Sequence, residues 1–325
     1  MKIIGLGNAL VDVLIQLSDE SIIQKLGLPK GSMQLIQKKE IPSINKYNKE
    51  FSPILLSGGS AANTIHGLSK LGTRCGFIGK VGKDDYGDFY ENDLKNAGVL
   101  STLFRSKTET GRAYTYITPD SERTFATYLG AAVELLADEL KNEMFKGYDV
   151  MHVEGYLLQN RKLIETAFRI AKEHSIKVSL DFASYNVVEA NRDFLSKVIP
   201  EFVDIVFANE EESKAFTGKS PSDSLDELAS QCEIAIVKIG KDGSLIKSGN
   251  NISKIGATSG NVIDTTGAGD QYAAGFLHGY TEHQEIEQCG KLGAILAEAV
   301  ISNYGARIPE NLWPIVEEKV QRIID

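Results

Sequence analysis

Cysteine is scarce in this 325-residue chain: Cys75, Cys232 and Cys289 stand far apart. No CxxC or Cys/His spacing suggests zinc, so the expectation is a reduced protein with incidental thiols. Positive charge is in deficit, with 35 Lys and Arg against 44 Asp and Glu, a net charge of −9. No basic run or stripe appears, which argues against nucleic-acid binding. Long apolar runs are missing, and none approaches membrane-spanning length. Met1-Lys2-Ile3-Ile4-Gly5-Leu6-Gly7-Asn8 turns polar too soon for a signal peptide, so a cytoplasmic location is expected. There is no internal repeat, no low-complexity segment and no Gly-x-Ser-x-Gly element of a hydrolase. His152 and His174 have no partner at ligand or triad spacing and read as strand packing and a helix C-terminus.

A hydrophobic fraction of 42% is ample for a large core. The most informative stretch is Asp264-Thr265-Thr266-Gly267-Ala268-Gly269-Asp270. Val262 and Ile263 before it read as a strand end, and Tyr272 to Leu277 after it as a helix. Gly267, Ala268 and Gly269 lack bulk, so a ligand can approach the backbone. The first N–H groups of a helix have no partners within it, and with the helix dipole they attract an anion such as phosphate. Asp270, in the first turn, is favoured in its ionised form. A carboxylate base beside a phosphate cradle suits transfer of a phosphoryl group to a hydroxyl.

Along the chain, residues 2–7 read as a buried strand. Gly5-Leu6-Gly7 invites a dinucleotide-binding reading, which fails because the third glycine and the following helix are absent. Asn8 and Asp12 instead punctuate an apolar segment in which Val11, Val13, Ile15 and Leu17 alternate as in a half-covered strand. Residues 19–27 look helical, and Ser32 to Ile36 form another candidate strand. Residues 110–130 alternate twice about a turn at Pro119-Asp120-Ser121-Glu122. These segments break the strand–helix rhythm and predict a small discontinuous β lid, about residues 8–50 plus 106–130. From about residue 131 strands end at Val153, Asp181, Asn209 and Gly240 with helices between them. That pattern predicts an α/β domain with a mainly parallel central sheet and helices on both faces. In such sheets ligands bind beyond the carboxyl ends of the strands.

Three motifs in order, Ser57-Gly58-Gly59-Ser60-Ala61-Ala62-Asn63, Gly76 to Gly87 and Asp264 to Asp270, resemble signatures of the PfkB (ribokinase-like) carbohydrate and nucleoside kinases. The resemblance covers essentially the whole chain and implies one domain, ATP with Mg²⁺, and a small-molecule acceptor. It implies Asp270 as general base, with the N–H groups of Gly267, Ala268 and Gly269 stabilising the transferred phosphoryl. Asp12, Asn8, Gly58, Gly59 and Asn63 would bind the acceptor. Arg123 matches an Arg that faces the transferred phosphate in nucleoside-type members. Asn209 and Glu212 match a motif that orders water around Mg²⁺. Lys238, Gly240 and Gly243 resemble a segment beside the nucleotide, and Thr265 and Asn303 join that side. Some members also bind a monovalent cation, K⁺ for instance, between the loop after residue 301 and the Asp264 strand end.

Thr110-Gly111, Arg123-Thr124 and Leu129-Gly130-Ala131-Ala132 look more like adenosine-kinase-type members than like ribokinases. Leu14, Met33, Leu35, Tyr116 and Phe125 would cover a flat base. Adenosine is therefore the favoured acceptor, with a ribokinase- or fructokinase-type sugar as the alternative. A non-catalytic nucleotide or sugar binder is the alternative from another class, and an oxidoreductase ranks third. A monomer or a homodimer formed through the lid is expected.

Overall fold

The computed structural model describes residues 1–120, 122–257 and 262–325; Ser121, in the expected turn, lies outside them. Among the described residues fourteen strands form two sheets. They are Lys2–Leu6 (β1), Leu10–Gln16 (β2), Met33–Leu35 (β3), Ile54–Gly58 (β4), Arg74–Gly82 (β5), Leu100–Ser106 (β6) and Gly111–Ile117 (β7). Then come Arg123–Tyr128 (β8), Val150–Glu154 (β9), Lys177–Asp181 (β10), Ile205–Asn209 (β11), Ile234–Lys238 (β12), Ser244–Ser248 (β13) and Asn251–Ile255 (β14).

The large sheet has the order β14-β13-β12-β11-β10-β9-β1-β5-β6, in which only β13 runs against the others, pairing antiparallel with both β12 and β14. Its strands are apolar on both sides because both faces are covered. Ile234 and Ile236 of β12 face one core, which includes the Ala268–Thr281 and Ile286–Ile301 helices. Ala235 and Val237 face the other, which includes the Arg161–Glu173 and Tyr185–Phe202 helices. From β1 the chain proceeds to β5 and β6 on one side, and from β9 to β12 on the other. The order thus reverses between β1 and β9. Beyond the carboxyl ends of two strands whose connections leave in opposite directions a crevice opens.

The small sheet has the order β3-β8-β7-β2-β4. Val11, Val13 and Ile15 of β2 are buried with Tyr114, Tyr116, Ile41 and Ile44 on the outer side. Leu10, Asp12, Leu14, Ala113, Thr115 and Phe125 line the opposite, inner side. The sheet differs from the sequence expectation in two ways. Ile54–Gly58, beyond the expected bounds of the lid, is one of its strands. Tyr116 lies on the covered face, where its hydroxyl donates to Asn48 Oδ1 at 3.1 Å, so it does not line the cleft. A third difference concerns the approach to Asp264: Val262 and Ile263 form no strand and are exposed. The N–H groups of Ile263 and Asp264 both donate to Ile301 O instead, so the segment docks on a helix end rather than joining a sheet.

Candidate active site

A cleft of about 1190 Å³ runs between the inner face of the small sheet and the carboxyl ends of the large-sheet strands. Asp270 stands at its centre, in the first turn of the Ala268–Thr281 helix. Gly267 caps that helix with φ +74°, and a Cβ there would lie 2.5 Å from Ala306 Cα. Glycine is the residue that accepts both the left-handed backbone and the close approach. A Cβ on Gly269 would lie 2.9 Å from Lys238 Nζ, which places the ammonium over the open helix end.

The Asp270 carboxylate accepts from Ser60 Oγ at 2.7 Å and Asn63 Nδ2 at 2.9 Å. These two donors come from the start of the Ser60–Lys70 helix, which packs against the Ala268 helix. Burial lifts its pKa to about 6, against the hydrogen bonds and the Lys238 charge that pull it down. Such a carboxylate is ionised at neutral pH yet basic enough to accept a proton.

At the small-sheet end of the cleft, Gly59 has φ +98°, and a Cβ on it would collide with Asn8 O. Any Cβ on Gly58 would collide with the Asp12 carboxylate, so the two glycines let β2 and β4 close together around Asp12. Burial raises Asp12 to about 7, opposed by Arg307, with Asp270 adding to the rise. Asn8 donates from its N–H and its Nδ2 to Glu154 Oε1, at 3.0 and 2.7 Å. Ala61 N–H donates to Glu154 Oε2 at 2.9 Å. Glu154 ends β9 and Asn8 follows β1, so this knot sits at the strand-order reversal. Burial raises Glu154 to about 7. Asn8 Oδ1 and Asn63 Oδ1 are buried with no hydrogen-bond partner. Buried polar atoms are normally satisfied, so these two are poised for donors such as ligand hydroxyls.

At the carboxyl end of β11, Asn209 caps the Glu210–Thr217 helix in a reciprocal box with Glu212. Asn209 N and Nδ2 donate to the Glu212 carboxylate at 2.8 and 2.7 Å. Burial raises the Glu212 pKa, with the Lys238 charge opposing. Lys238 Nζ donates to Asp181 Oδ2 at 3.0 Å. Burial alone would lower the Lys238 pKa, but Asp181 and Glu212 outweigh it and the net shift is upward. A hard-oxygen set of this kind suits Mg²⁺, which keeps several waters and takes few direct protein ligands. Gly240 and Gly243 lie in the turn between β12 and β13, and line the cleft with Thr265 and the apolar wall Val262, Ala294, Ala297 and Ile301.

The structure thus gathers Asn8, Asp12, Gly59, Asn63, Asn209, Glu212, Lys238, Gly240, Gly243, Thr265 and Gly267 to Asp270 along one cleft, with Arg123 on its wall. Asn303 is not among the lining residues. Its amide donates to Ala299 O and Ser302 Oγ, closing the end of the Ile286–Ile301 helix. Asp264 lies beneath the turn, paired with Arg123. Sequence reasoning missed Ser60, Glu154 and Asp181 as members of the site. Asp181 and Glu154 each end a parallel strand, a signal that was available. Ser60 was hidden inside a glycine motif that reads as packing.

The pfkB family carbohydrate kinase model matches residues 31–313. An uncharacterized sugar kinase of Archaeoglobus fulgidus is 31% identical over 248 residues, 74% of this chain and 96% of the relative. A 5-dehydro-2-deoxygluconokinase of Bacillus licheniformis is 30% identical over 266 residues, 77% of this chain and 82% of the relative. The crystal structure of adenosine kinase from Sinorhizobium meliloti superposes with a TM-score of 0.86 at 33% identity, covering 98% of this chain and 99% of that one.

Proposed function

The chain belongs to the pfkB family of carbohydrate kinases, and within that family we propose that it passes the terminal phosphoryl group of ATP to the hydroxymethyl group of a nucleoside, adenosine first. The observation that carries the acceptor reading is the inner face of the small sheet. Leu10, Leu14, Met33, Leu35, Phe125 and Leu129 line the cleft with Asp12 and offer apolar cover to a flat base, while Asp12, Asn8 and Asn63 offer polar groups to vicinal hydroxyls. The 33% identity to an adenosine kinase over nearly the whole chain supports the same reading.

In this proposal Asp270 takes the proton of the acceptor hydroxyl as its oxygen attacks the terminal phosphorus. The bond from that phosphorus to the bridging oxygen breaks, and ADP leaves with the electron pair. The N–H groups of Gly267 and Gly269 and the Lys238 ammonium meet the charge on the transferred group, whereas the Ala268 N–H, expected to join them, donates to Thr265 O at 3.2 Å. Such transfer depends mainly on positioning and electrostatics. Mg²⁺, held through water by Asn209 and Glu212, would neutralise charge on the ATP phosphates. The small sheet acts as a lid that keeps water, a competing acceptor, from the phosphoryl group.

The test is ATP consumption over adenosine, other nucleosides, ribose, fructose and a gluconate-type sugar acid. Adenosine should give the highest kcat/KM. Sugar turnover far above that on adenosine would replace the acceptor reading and leave the kinase intact. No ATP consumption with any hydroxyl compound would favour a binding protein.

A further inference from the structure

Asp264 is buried, 7% exposed, below the Gly267 turn. Its surroundings attract positive charge. The segment hangs on Ile301 O, the carbonyl end of a sixteen-residue helix, where the helix dipole is negative. This is also the place where some family members hold a monovalent cation, so the residues can be tested for that role. Both carboxylate oxygens are engaged: Oδ1 accepts from Thr266 N–H at 3.0 Å and Oδ2 from Gly305 N–H at 2.8 Å. Arg123 Nη2 lies 2.5 Å from Asp264 Oδ2, an ion-pair distance, although neither Nη2 nor Nε makes an aligned hydrogen bond. Arg123 is itself only 8% exposed. Its Nη1 donates to Thr266 Oγ1 at 2.9 Å, and its guanidinium carbon lies 5.6 Å from the centre of the Tyr304 ring. A second cation against Asp264 would face a buried guanidinium of the same sign. The residues present do not fit a bound monovalent ion.

We propose that Arg123 is a built-in replacement for the monovalent cation, a positive charge that β8 of the small sheet inserts beside Asp264. Two consequences distinguish this from an ordinary ion pair. The native protein needs no K⁺ to hold the Asp264–Ala306 region. Removal of the guanidinium leaves a buried carboxylate with two backbone hydrogen bonds but no counter-charge, a costly state. The vacated space, bordered by a carboxylate and an aromatic face, then takes a K⁺-sized ion.

The experiment follows the melting midpoint of the ligand-free protein in K⁺, Na⁺, Li⁺ and choline chlorides at equal ionic strength. Binding of Tl⁺, a K⁺ substitute, is read by its NMR line width. The native protein should melt at one temperature in all four salts and leave the Tl⁺ line sharp. Arg123→Ala should melt lower in choline and recover by about 2–4 °C in K⁺ near ten times its dissociation constant. It should also broaden the Tl⁺ line. Arg123→Gln serves if the alanine variant does not fold, and Asp264→Asn in the Arg123→Ala background should abolish the K⁺ response. A K⁺-specific rise in the native midpoint, or arginine variants indifferent to the choice of cation, would overturn the proposal. Because no substrate is present, these outcomes are independent of the acceptor and of catalysis.

Discussion

Asp270 carries opposite consequences for catalysis and for stability. Its pKa of about 6 lies above its ordinary value of 3.8 because burial disfavours the charge. A base must be ionised, so kcat/KM should fall as pH drops below about 6. Asp270→Asn should lower turnover by about 10²–10⁴-fold while acceptor binding persists; near-normal turnover would remove the residue from its role. The same shift runs the other way for folding. A carboxyl group whose folded pKa is raised contributes stability that is complete below about pH 4 and is lost as pH rises through about 6. Asp270→Asn should therefore raise the melting midpoint near neutral pH, and the gain should vanish near pH 4. The amide is accommodated because Asn63 Oδ1, which has no partner, can turn to accept from it. Lys238 belongs to the same balance, since its charge lowers the Asp270 pKa. Lys238→Met should reduce kcat more than it raises KM and move the acid limb of the profile to higher pH. An unmoved limb would mean that the ammonium does not act on the base.

At the scale of elements, the glycine turns hold the site together by geometry. Gly59→Ala forces a side chain into a backbone of φ +98° and against Asn8 O. It should cost roughly 1–3 kcal/mol of stability from strain of this class and weaken acceptor binding, measured by melting and by KM. An alanine variant with native stability would show that β4 and Asn8 can move apart freely. Such turns were legible in the sequence because a run of small residues just ahead of a helical pattern marks a place where the backbone must be approached closely. The alternation of Val11, Val13 and Ile15 was equally plain. Ile54-Leu55-Leu56 was not, since a short apolar run before glycines looks the same whether it is a strand or a helix lead. Val262 and Ile263 misled for a related reason: β-branched residues favour strands, but this segment docks on the Ile301 carbonyl instead of a strand edge. Glu154 was legible only as a strand end; its partners, Asn8 and Ala61, come to it from the end of β1 and from the Ser60–Lys70 helix rather than from nearby sequence.

For the whole molecule, the cleft has two unlike walls. The large-sheet wall is built of strand ends and helix starts, and the small-sheet wall is a five-stranded cover with its own apolar backing. Binding under a cover should slow amide exchange in it. Deuterium uptake of β7 and β8 should therefore fall on adding the acceptor, and β10 to β12 should change little. Equal protection across both sheets would mean that the molecule tightens as one body rather than closing a lid. The described residues contain no helix long and apolar enough to cross a membrane.

The small sheet is assembled from two excursions of the chain. One leaves after β1, supplies β2, β3 and β4 and returns at β5; the other leaves after β6, supplies β7 and β8 and returns at β9. Neither interrupts a strand of the large sheet, so the register on which the phosphoryl chemistry rests does not depend on what the excursions contain. The two walls are therefore separable parts: the cover can be exchanged without cutting a strand of the floor. The same seam marks where an engineer would graft the cover of a sugar-specific relative onto this floor, cutting at the junctions where each excursion leaves and returns, with Asp270 left in place.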